Sequence, residues 1–280
     1  MTSNDTKPGT LWVVATPIGN LDDFTPRARA LLESVPIIAA EDTRVSARLL
    51  GGRREAAQMI SLHEHNETRA VSGLIEALAA GTDVALVSDA GTPLISDPGY
   101  RLVSAAHDAG IPVRSVPGPC AATAALSVAG LATDRFLFAG FLPARASARR
   151  KRLGELVERT ETLVFYVPAR DLPAALEDLA AVLGDSRRAT LARELTKMHE
   201  TVRRDTLAAL RDWTGEDADQ QRGEAVLVVA GSDRAVPSID MAALAEELAR
   251  ELPPSRAAKV LARLTGLNRK EAWDQIEARR

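Results

Sequence analysis

The stretch Asp83-Val84-Ala85-Leu86-Val87-Ser88-Asp89-Ala90-Gly91-Thr92-Pro93-Leu94-Ile95-Ser96-Asp97-Pro98-Gly99 decides the fold. Four consecutive apolar residues, Val84 to Val87, form a strand core with no polar face, and such strands belong to parallel sheets covered on both sides by helices. The chain then turns through two glycines and two prolines and enters a helical pattern from Tyr100 to Ala109, stopped by Gly110. Strand, loop and helix in this order make one unit of an open α/β sheet. Ligands of such sheets bind at the carboxyl ends of the strands, where this loop lies. Its glycines let a ligand come close to main-chain N–H and C=O groups.

The alternation continues on either side. Leu11 to Ala15 reads as a strand ending at the turn Thr16-Pro17-Ile18-Gly19-Asn20, and Pro26 to Glu33 as a helix capped by Thr25. Ile37 to Ala40 is a buried-type strand running into Glu41-Asp42-Thr43-Arg44 and a helix through Leu50. Thr68 to Ala80 carries Val71, Leu74, Ile75 and Leu78 on one helical face. Val113 to Val116 is a strand, and Ala121 to Gly130 a helix of small residues.

Residues 1–140 thus read as an N-terminal α/β domain, with Gly140-Phe141-Leu142-Pro143 as hinge. Residues 141–236 read as a second one. Its strands are Thr162–Val167, Ala189–Arg193, Glu200–Asp205 and Ala225–Ala230; its helices are Ala146–Glu158, Leu172–Leu183 and Thr206–Thr214. The short connection inside 189–205 predicts an antiparallel pair there. Residues 237–280 carry no strand pattern and form a helical extension, Met241–Leu252, Pro254–Leu264 and Arg269–Ala278. The turn Gly266-Leu267-Asn268 inside it faintly resembles a helix-turn-helix.

A chain of 280 residues has room for about two domains at roughly 150 residues each. Its hydrophobic content of 46% excludes a disordered chain. A net charge of −3, from 35 basic and 38 acidic residues, argues against an arm-type or histone-like nucleic-acid binder. One cysteine, Cys120, excludes a disulfide framework and a cysteine metal site. With no membrane-length apolar run and a polar start at Met1–Thr10, the expectation is a cytoplasmic protein with no membrane partner. Only 10 residues are aromatic, so a nucleotide partner is expected to be held through ribose and phosphate rather than by base stacking.

Several segments could carry chemistry, each beside a plainer reading. Val116-Pro117-Gly118-Pro119-Cys120-Ala121 is a second strand-end loop, readable as a ligand wall or as tight helix–sheet packing. The Thr16–Asn20 turn has the position of a dinucleotide loop but one glycine, and no GxGxxG or Walker motif occurs in the chain. Glu41-Asp42-Thr43-Arg44 is either an acid-rich helix start or a substrate and proton-acceptor site. His63-Glu64-His65 reads as an exposed polar strand end rather than a metal site, since no third ligand is evident. Arg145, Arg149, Arg150, Lys151 and Arg152 form one dense basic run without acids, a solvated helix face or a phosphate contact. From Arg145 to Arg159, six basic residues face Glu155 and Glu158, a local +4 inside an acidic average.

Taken together, Ala15 to Leu21, Glu41 to Arg44, His63 to Glu67, Ser88 to Gly99, Val116 to Ala125, Gly140 to Pro143 and Arg193-Glu194-Leu195-Thr196-Lys197 resemble, in this order, the ribosomal RNA small subunit methyltransferase I branch of the tetrapyrrole methylase superfamily. The resemblance spans about residues 10–280. It implies two α/β domains with S-adenosyl-L-methionine in the cleft between them, and commonly a homodimer. It also implies 2′-O-methylation of a cytidine, cytidine 1402, in the decoding region of 16S rRNA in the 30S subunit.

Carried over position by position, the resemblance assigns the cofactor to Pro17, Asp89, Ala90, Gly91, Ile95, Ser96, Cys120 and Ala121. Val167 would pack near the adenosine, and Ala225 and Val226 would offer main-chain hydrogen bonds to adenine. Cofactor relatives carry Gly-Asp-Pro where this chain has Gly91-Thr92-Pro93, so the role of that aspartate does not pass to Thr92. Alignment of oxygen, methyl and sulfur would supply most of the rate, on the order of 7–11 kcal/mol. Asp89, Glu41, Asp42 and His63 are candidates to accept the 2′-hydroxyl proton, with Glu41 and Asp42 preferred. Arg44, the Arg145–Arg152 run and Lys197 are expected at rRNA phosphates. The competing readings are a tetrapyrrole-precursor C-methyltransferase and a non-catalytic RNA- or nucleotide-binding module. The basic run and helical tail speak against the first, and loops contributed by both domains against the second.

Overall fold

The structure, a computed structural model, describes residues 7–51, 57–63, 66–233 and 241–279. Two compact units divide the chain, Met1–Ser232 and Asp233–Arg280.

Within the first unit, β1 (Leu11–Val14), β2 (Ile37–Ala40), β3 (Gln58–Ser61), β4 (Val84–Val87) and β5 (Val113–Val116) form a parallel sheet of order β3-β2-β4-β1-β5. Alternate residues of these strands enter two different cores, because successive side chains of a strand point to opposite faces. Leu11, Ala39, Val84 and Leu86 pack on one face with Leu74 and Leu78 of α3 (Glu67–Ala79) and Leu102 of α4 (Tyr100–Asp108). Val14, Ile38, Ala40, Ala85 and Val87 pack on the other with Ala28 and Leu32 of α1 (Pro26–Ser34). Each fully buried leucine or valine contributes roughly 1.5–3 kcal/mol over its exposed state. Thr25 caps α1 by accepting the Ala28 N–H at 3.1 Å. After β2 comes α2 (Thr43–Leu49).

The second sheet contains β6 (Phe136–Phe141), β7 (Thr162–Pro168), β8 (Arg188–Arg193), β9 (Thr201–Thr206) and β10 (Glu224–Val229), in the order β6-β7-β10-β8-β9. Its β6–β7 pair is parallel and the remaining pairs are antiparallel, including β8–β9. Leu163, Phe165, Leu191 and Leu227 face a core shared with α7 (Leu172–Leu183) and α8 (Leu207–Glu216). Opposite them, Val164, Ala192, Val226 and Val228 pack against Ala122, Ala125, Leu126 and Ala129 of α5 (Ala121–Ala129).

This corrects the expected organisation in two places. The change of sheet falls before residue 140, since α5 packs on the second sheet and β6 begins at Phe136. The hinge expected at Gly140–Pro143 is instead the end of a strand. Gln58–Ser61 and Phe136–Phe141, to which the sequence pattern assigns no element, are both edge strands.

The second unit packs α9 (Met241–Glu251), α10 (Pro254–Thr265) and α11 (Arg269–Glu277) around Ala245, Ala257, Leu261, Ala272 and Ile276. Gly266 ends α10 in the left-handed conformation, and Asn268 and Glu271 form a reciprocal capping box that starts α11. No helix among the described residues is long and apolar enough to cross a membrane.

Candidate active site

The loops leaving β1, β4 and β5 meet the ends of β7, β8 and β10 around a cleft of about 510 Å³, a volume suited to a small molecule. Among the described residues, four that are not glycine hold a left-handed backbone: Leu94, Ser96, Glu194 and Thr196. All four belong to two loops at this cleft, the one after β4 and the one after β8. Such conformations cost of order 1–3 kcal/mol each and persist where the surroundings fix them.

Those surroundings are visible. Thr16 and Gly91 exchange two main-chain hydrogen bonds, at 2.9 and 3.1 Å, so the loop after β4 is clamped to the end of β1. The buried Thr16 hydroxyl donates to the Ser88 carbonyl at 3.2 Å, and Thr92 Oγ1 donates to the Pro119 carbonyl at 3.0 Å. Gly91 has φ +87°, and a Cβ there would lie 3.2 Å from Ile18 Cγ2. The conformation therefore calls for glycine, and a Cβ would also press on Ile18.

One wall is acidic. Glu41 at the end of β2, together with Asp89 and Asp97 from the loop after β4, lines the cleft. The Asp42 N–H donates to Asp89 Oδ1 at 3.0 Å, and the Asp89 N–H points to Glu41 Oε2 at 3.5 Å. Burial raises the Asp89 carboxyl above its ordinary value. Burial likewise pushes Asp97 up to about 6, helped by the charges of Glu41 and Asp89 and opposed by the Ser88 hydroxyl. Three carboxylates this close favour a cationic ligand, which would relieve their repulsion.

Asp42 takes the plainer of its two roles. It caps α2 by accepting the Arg44 N–H at 2.8 Å and pairs with the Arg44 side chain at 2.7 Å. These hydrogen bonds lower Asp42 to about 2, which makes it a weak base. It does not line the cleft, and neither do Pro17 and Arg44. The two preferred proton acceptors, Glu41 and Asp42, thus sit in different settings, Glu41 on the cleft and Asp42 in a helix cap.

The opposite wall is apolar. Cys120, Ala121, Val167, Ala225 and Val226 line it, with the rings of Tyr166 and Phe141 beside them. α5 begins here without a capping side chain, and the Ala122 N–H donates to the Tyr166 hydroxyl at 3.2 Å. Burial, reinforced by Cys120, raises the Tyr166 phenol so that it stays protonated. Of the eleven residues assigned to the cofactor, all but Pro17 lie on this one cleft. One detail changes. β10 pairs with strands on both edges at Ala225 and Val226, so the sheet ladder occupies their N–H groups. What they offer a ligand is small side-chain surface and the second lone pairs of their carbonyls.

At the rim, Lys197 Nζ pairs with Glu194 at 2.8 Å and Glu224 at 3.0 Å. Burial disfavours its charge, yet the two carboxylates raise its pKa overall. Its stem crosses Gly19 so closely that a Cβ there would collide with it.

The basic run divides. Arg149 is buried, pairs with Asp178 of α7 at 2.6 Å, and donates to the carbonyls of Pro143, Ala144 and Ala174. An arginine so enclosed cannot reach a phosphate, and its assignment to rRNA is corrected. Arg150 pairs with the same Asp178 but stays largely exposed, as do Lys151 and Arg152 on α6 (Ala146–Gly154) and Arg145 at its N-cap. None of these lines the cleft. Glu64 and His65 lie outside the described residues. Among the described residues no cluster of His, Cys, Asp or Glu is arranged to hold a metal ion.

Sequence reading passed over Asp97, Phe141, Tyr166 and Glu194 as cleft residues. Asp97 stood inside the decisive loop, and Tyr166 directly precedes Val167. Phe141 carried no signal of its own.

Residues 10–211 match the family of tetrapyrrole (corrin/porphyrin) methylases, and residues 235–275 match the RsmI C-terminal HTH domain. The ribosomal RNA small subunit methyltransferase I of Pseudomonas aeruginosa is 50% identical over 95% of this chain and 96% of that protein. The protein of the same name from Xylella fastidiosa is 49% identical over 95% and 98%. In fold, the chain is similar to uroporphyrin-III C-methyl transferase from Thermus thermophilus, solved with S-adenosyl homocysteine. That likeness has a TM-score of 0.53 at 18% identity, over 79% of this chain and 97% of that one. With a family match over most of its length and relatives near half-identical from end to end, the chain belongs to the tetrapyrrole methylase family, in its ribosomal RNA small subunit methyltransferase I branch, and is an S-adenosylmethionine-dependent methyltransferase.

Proposed function

We propose that this chain methylates the ribose 2′-hydroxyl of cytidine 1402 in 16S rRNA, within the 30S subunit and as a homodimer. The single observation that carries the reading is the pairing of an acidic and an apolar wall in one cleft, in a chain half-identical to a protein named for rRNA methylation.

The residues present fit the cofactor. S-adenosylmethionine supplies an electrophilic methyl group on a positively charged sulfur. Asp89 and Asp97 suit its cationic end, the uncapped start of α5 suits its carboxylate, and Val167, Ala225 and Val226 suit its adenine. Gly91 leaves the space that a Cβ would fill.

With the cofactor held there, the 2′-oxygen would take the methyl group as its bond to sulfur breaks, and the hydroxyl proton would leave to a base. Glu41 is that base in this reading. It lines the cleft and, unlike Asp42, is not committed to a helix cap. General-base assistance of this kind contributes typically about 10²–10⁴-fold. The exposed Arg44, Arg145, Arg150, Lys151 and Arg152 hold rRNA phosphates outside the cleft. Lys197 reaches a phosphate by exchanging it for Glu224. Residues 235–275 carry the helices of an HTH-type module and contribute a second contact with the rRNA.

Nucleoside mass spectrometry of 16S rRNA from cells lacking the protein, with and without a plasmid copy, tests this. Loss and return of 2′-O-methylcytidine is expected. An unaltered 2′-O-methylcytidine content in the deleted strain rejects the proposal.

A further inference from the structure

Phe141 is 59% exposed although it lines the cleft. It ends β6, and three features of that strand aim it there. The register of β6 on β7 shifts between Phe138 and Gly140, a bulge that redirects the residues following it. Gly140, at φ +70°, provides the backbone turn. The Phe141 and Tyr166 rings then pack T-shaped, centroids 5.3 Å apart at 68°, and Phe138 packs T-shaped on Tyr166 at 4.9 Å. Three of the chain's 10 aromatic residues thus form one cluster, of which Phe141 and Tyr166 line the cleft. Tyr166 itself accepts the Ala122 N–H, so the ring beneath Phe141 is tied to the start of α5 while Phe141 stays largely exposed.

Leaving a phenylalanine this exposed forgoes burial of its ring, and a bulge is a costly way to achieve it. Both are explained if a planar ligand covers the ring. Access to a 2′-hydroxyl inside folded RNA requires the nucleotide to leave its stack, and unstacked bases are received on aromatic side chains. Resting on the rRNA reading given above, we infer that Phe141 is the platform on which the base of the target cytidine stacks, positioning its ribose over the acidic wall. This differs from the expectation, drawn from the low aromatic content, that the nucleotide is held through ribose and phosphate rather than by base stacking.

The test uses the full chain with Phe141→Ala, Phe141→Leu and Phe141→Trp. S-adenosylhomocysteine is titrated by calorimetry. Single-turnover methyl transfer to 30S subunits from a strain lacking the protein is measured across subunit concentration with the cofactor saturating. Phe141→Ala is expected to raise the half-saturating subunit concentration about tenfold or more, as loss of one base–aromatic stack does. Phe141→Trp should restore it, Phe141→Leu should fall between, and cofactor affinity should stay within about twofold of the parent. Unchanged half-saturation in Phe141→Ala overturns the inference and leaves the rRNA reading standing. An equal loss of S-adenosylhomocysteine affinity also overturns it, since Phe141 then packs the cofactor. Absence of transfer by the parent chain overturns the rRNA reading and the platform together.

Discussion

The main-chain N–H of Asp42 donates to Asp89 Oδ1 at 3.0 Å. That bond joins the start of α2 to the loop after β4 and holds Glu41 at the cleft wall, while the Asp42 carboxylate faces away into its cap with Arg44. The two neighbouring acids therefore sit in different settings, and the proposed base is Glu41 alone. Asp42→Asn keeps both the cap, since Asn caps as well as Asp, and the donated N–H, so single-turnover transfer should remain within about twofold. Glu41→Gln should lower it by about 10²–10⁴-fold with S-adenosylhomocysteine affinity unchanged. Equal losses in both variants would contradict the assignment.

Asp97 makes the protein sensitive to pH. Its folded pKa of about 6 lies above the ordinary 3.8, so the folded state binds this proton more tightly than the unfolded state. Stability from this group is present below pH 3.8 and is lost as pH rises through about 6. Asp97→Asn removes the penalty. Its melting temperature relative to the parent should be higher at pH 7.5 and equal at pH 4, and a pH-independent difference would refute the account. In the proposed cofactor site the same group would favour the cationic cofactor only when ionised. Calorimetry should show S-adenosylmethionine binding more weakly at pH 5 than at pH 7.5 in the parent, with that dependence reduced in Asp97→Asn.

The basic run separates into a structural and an exposed part. Arg149→Ala leaves Asp178 buried with only the exposed Arg150 as partner, and should cost about 3–5 kcal/mol in urea denaturation. Arg145→Ala and Lys151→Ala should leave stability unchanged. Each should instead reduce the slope of log affinity for 16S rRNA against log salt by about 0.7–0.9. A normal slope in both variants would remove α6 from the rRNA contact.

Gly91→Ala tests the loop clamp. A residue with a Cβ at φ +87° carries roughly 1–2 kcal/mol of strain, and the added methyl presses on Ile18. Both the melting temperature and S-adenosylhomocysteine affinity should fall. Parent-like affinity would mean that the loop is not part of the cofactor pocket.

Much of this was readable in advance because it is local. Val84–Val87 announces a buried strand by itself, and the Gly- and Pro-rich loops after β4 and β5 announce a site by position. What escaped is set by distant partners. Gln58–Ser61 is half-exposed at a sheet edge and lacks an apolar core of its own. The bulge in Phe136–Phe141 breaks the two-residue alternation that marks strands. Arg149 looks like its exposed neighbours until Asp178, 29 residues later, folds over it. The raised pKa of Asp97 comes chiefly from burial, which the loop sequence does not show, with smaller contributions from Glu41 and Asp89.

Site-mapped transfer tests the central claim most directly. Purified protein, S-adenosylmethionine labelled in its methyl group and 30S subunits from a strain lacking the protein are combined. The rRNA is then cut into fragments and read by mass spectrometry. One labelled methyl per subunit, on the ribose of cytidine 1402, is the predicted result. Label on a base, on another nucleotide, or absent from the rRNA while the protein binds S-adenosylhomocysteine, would contradict it.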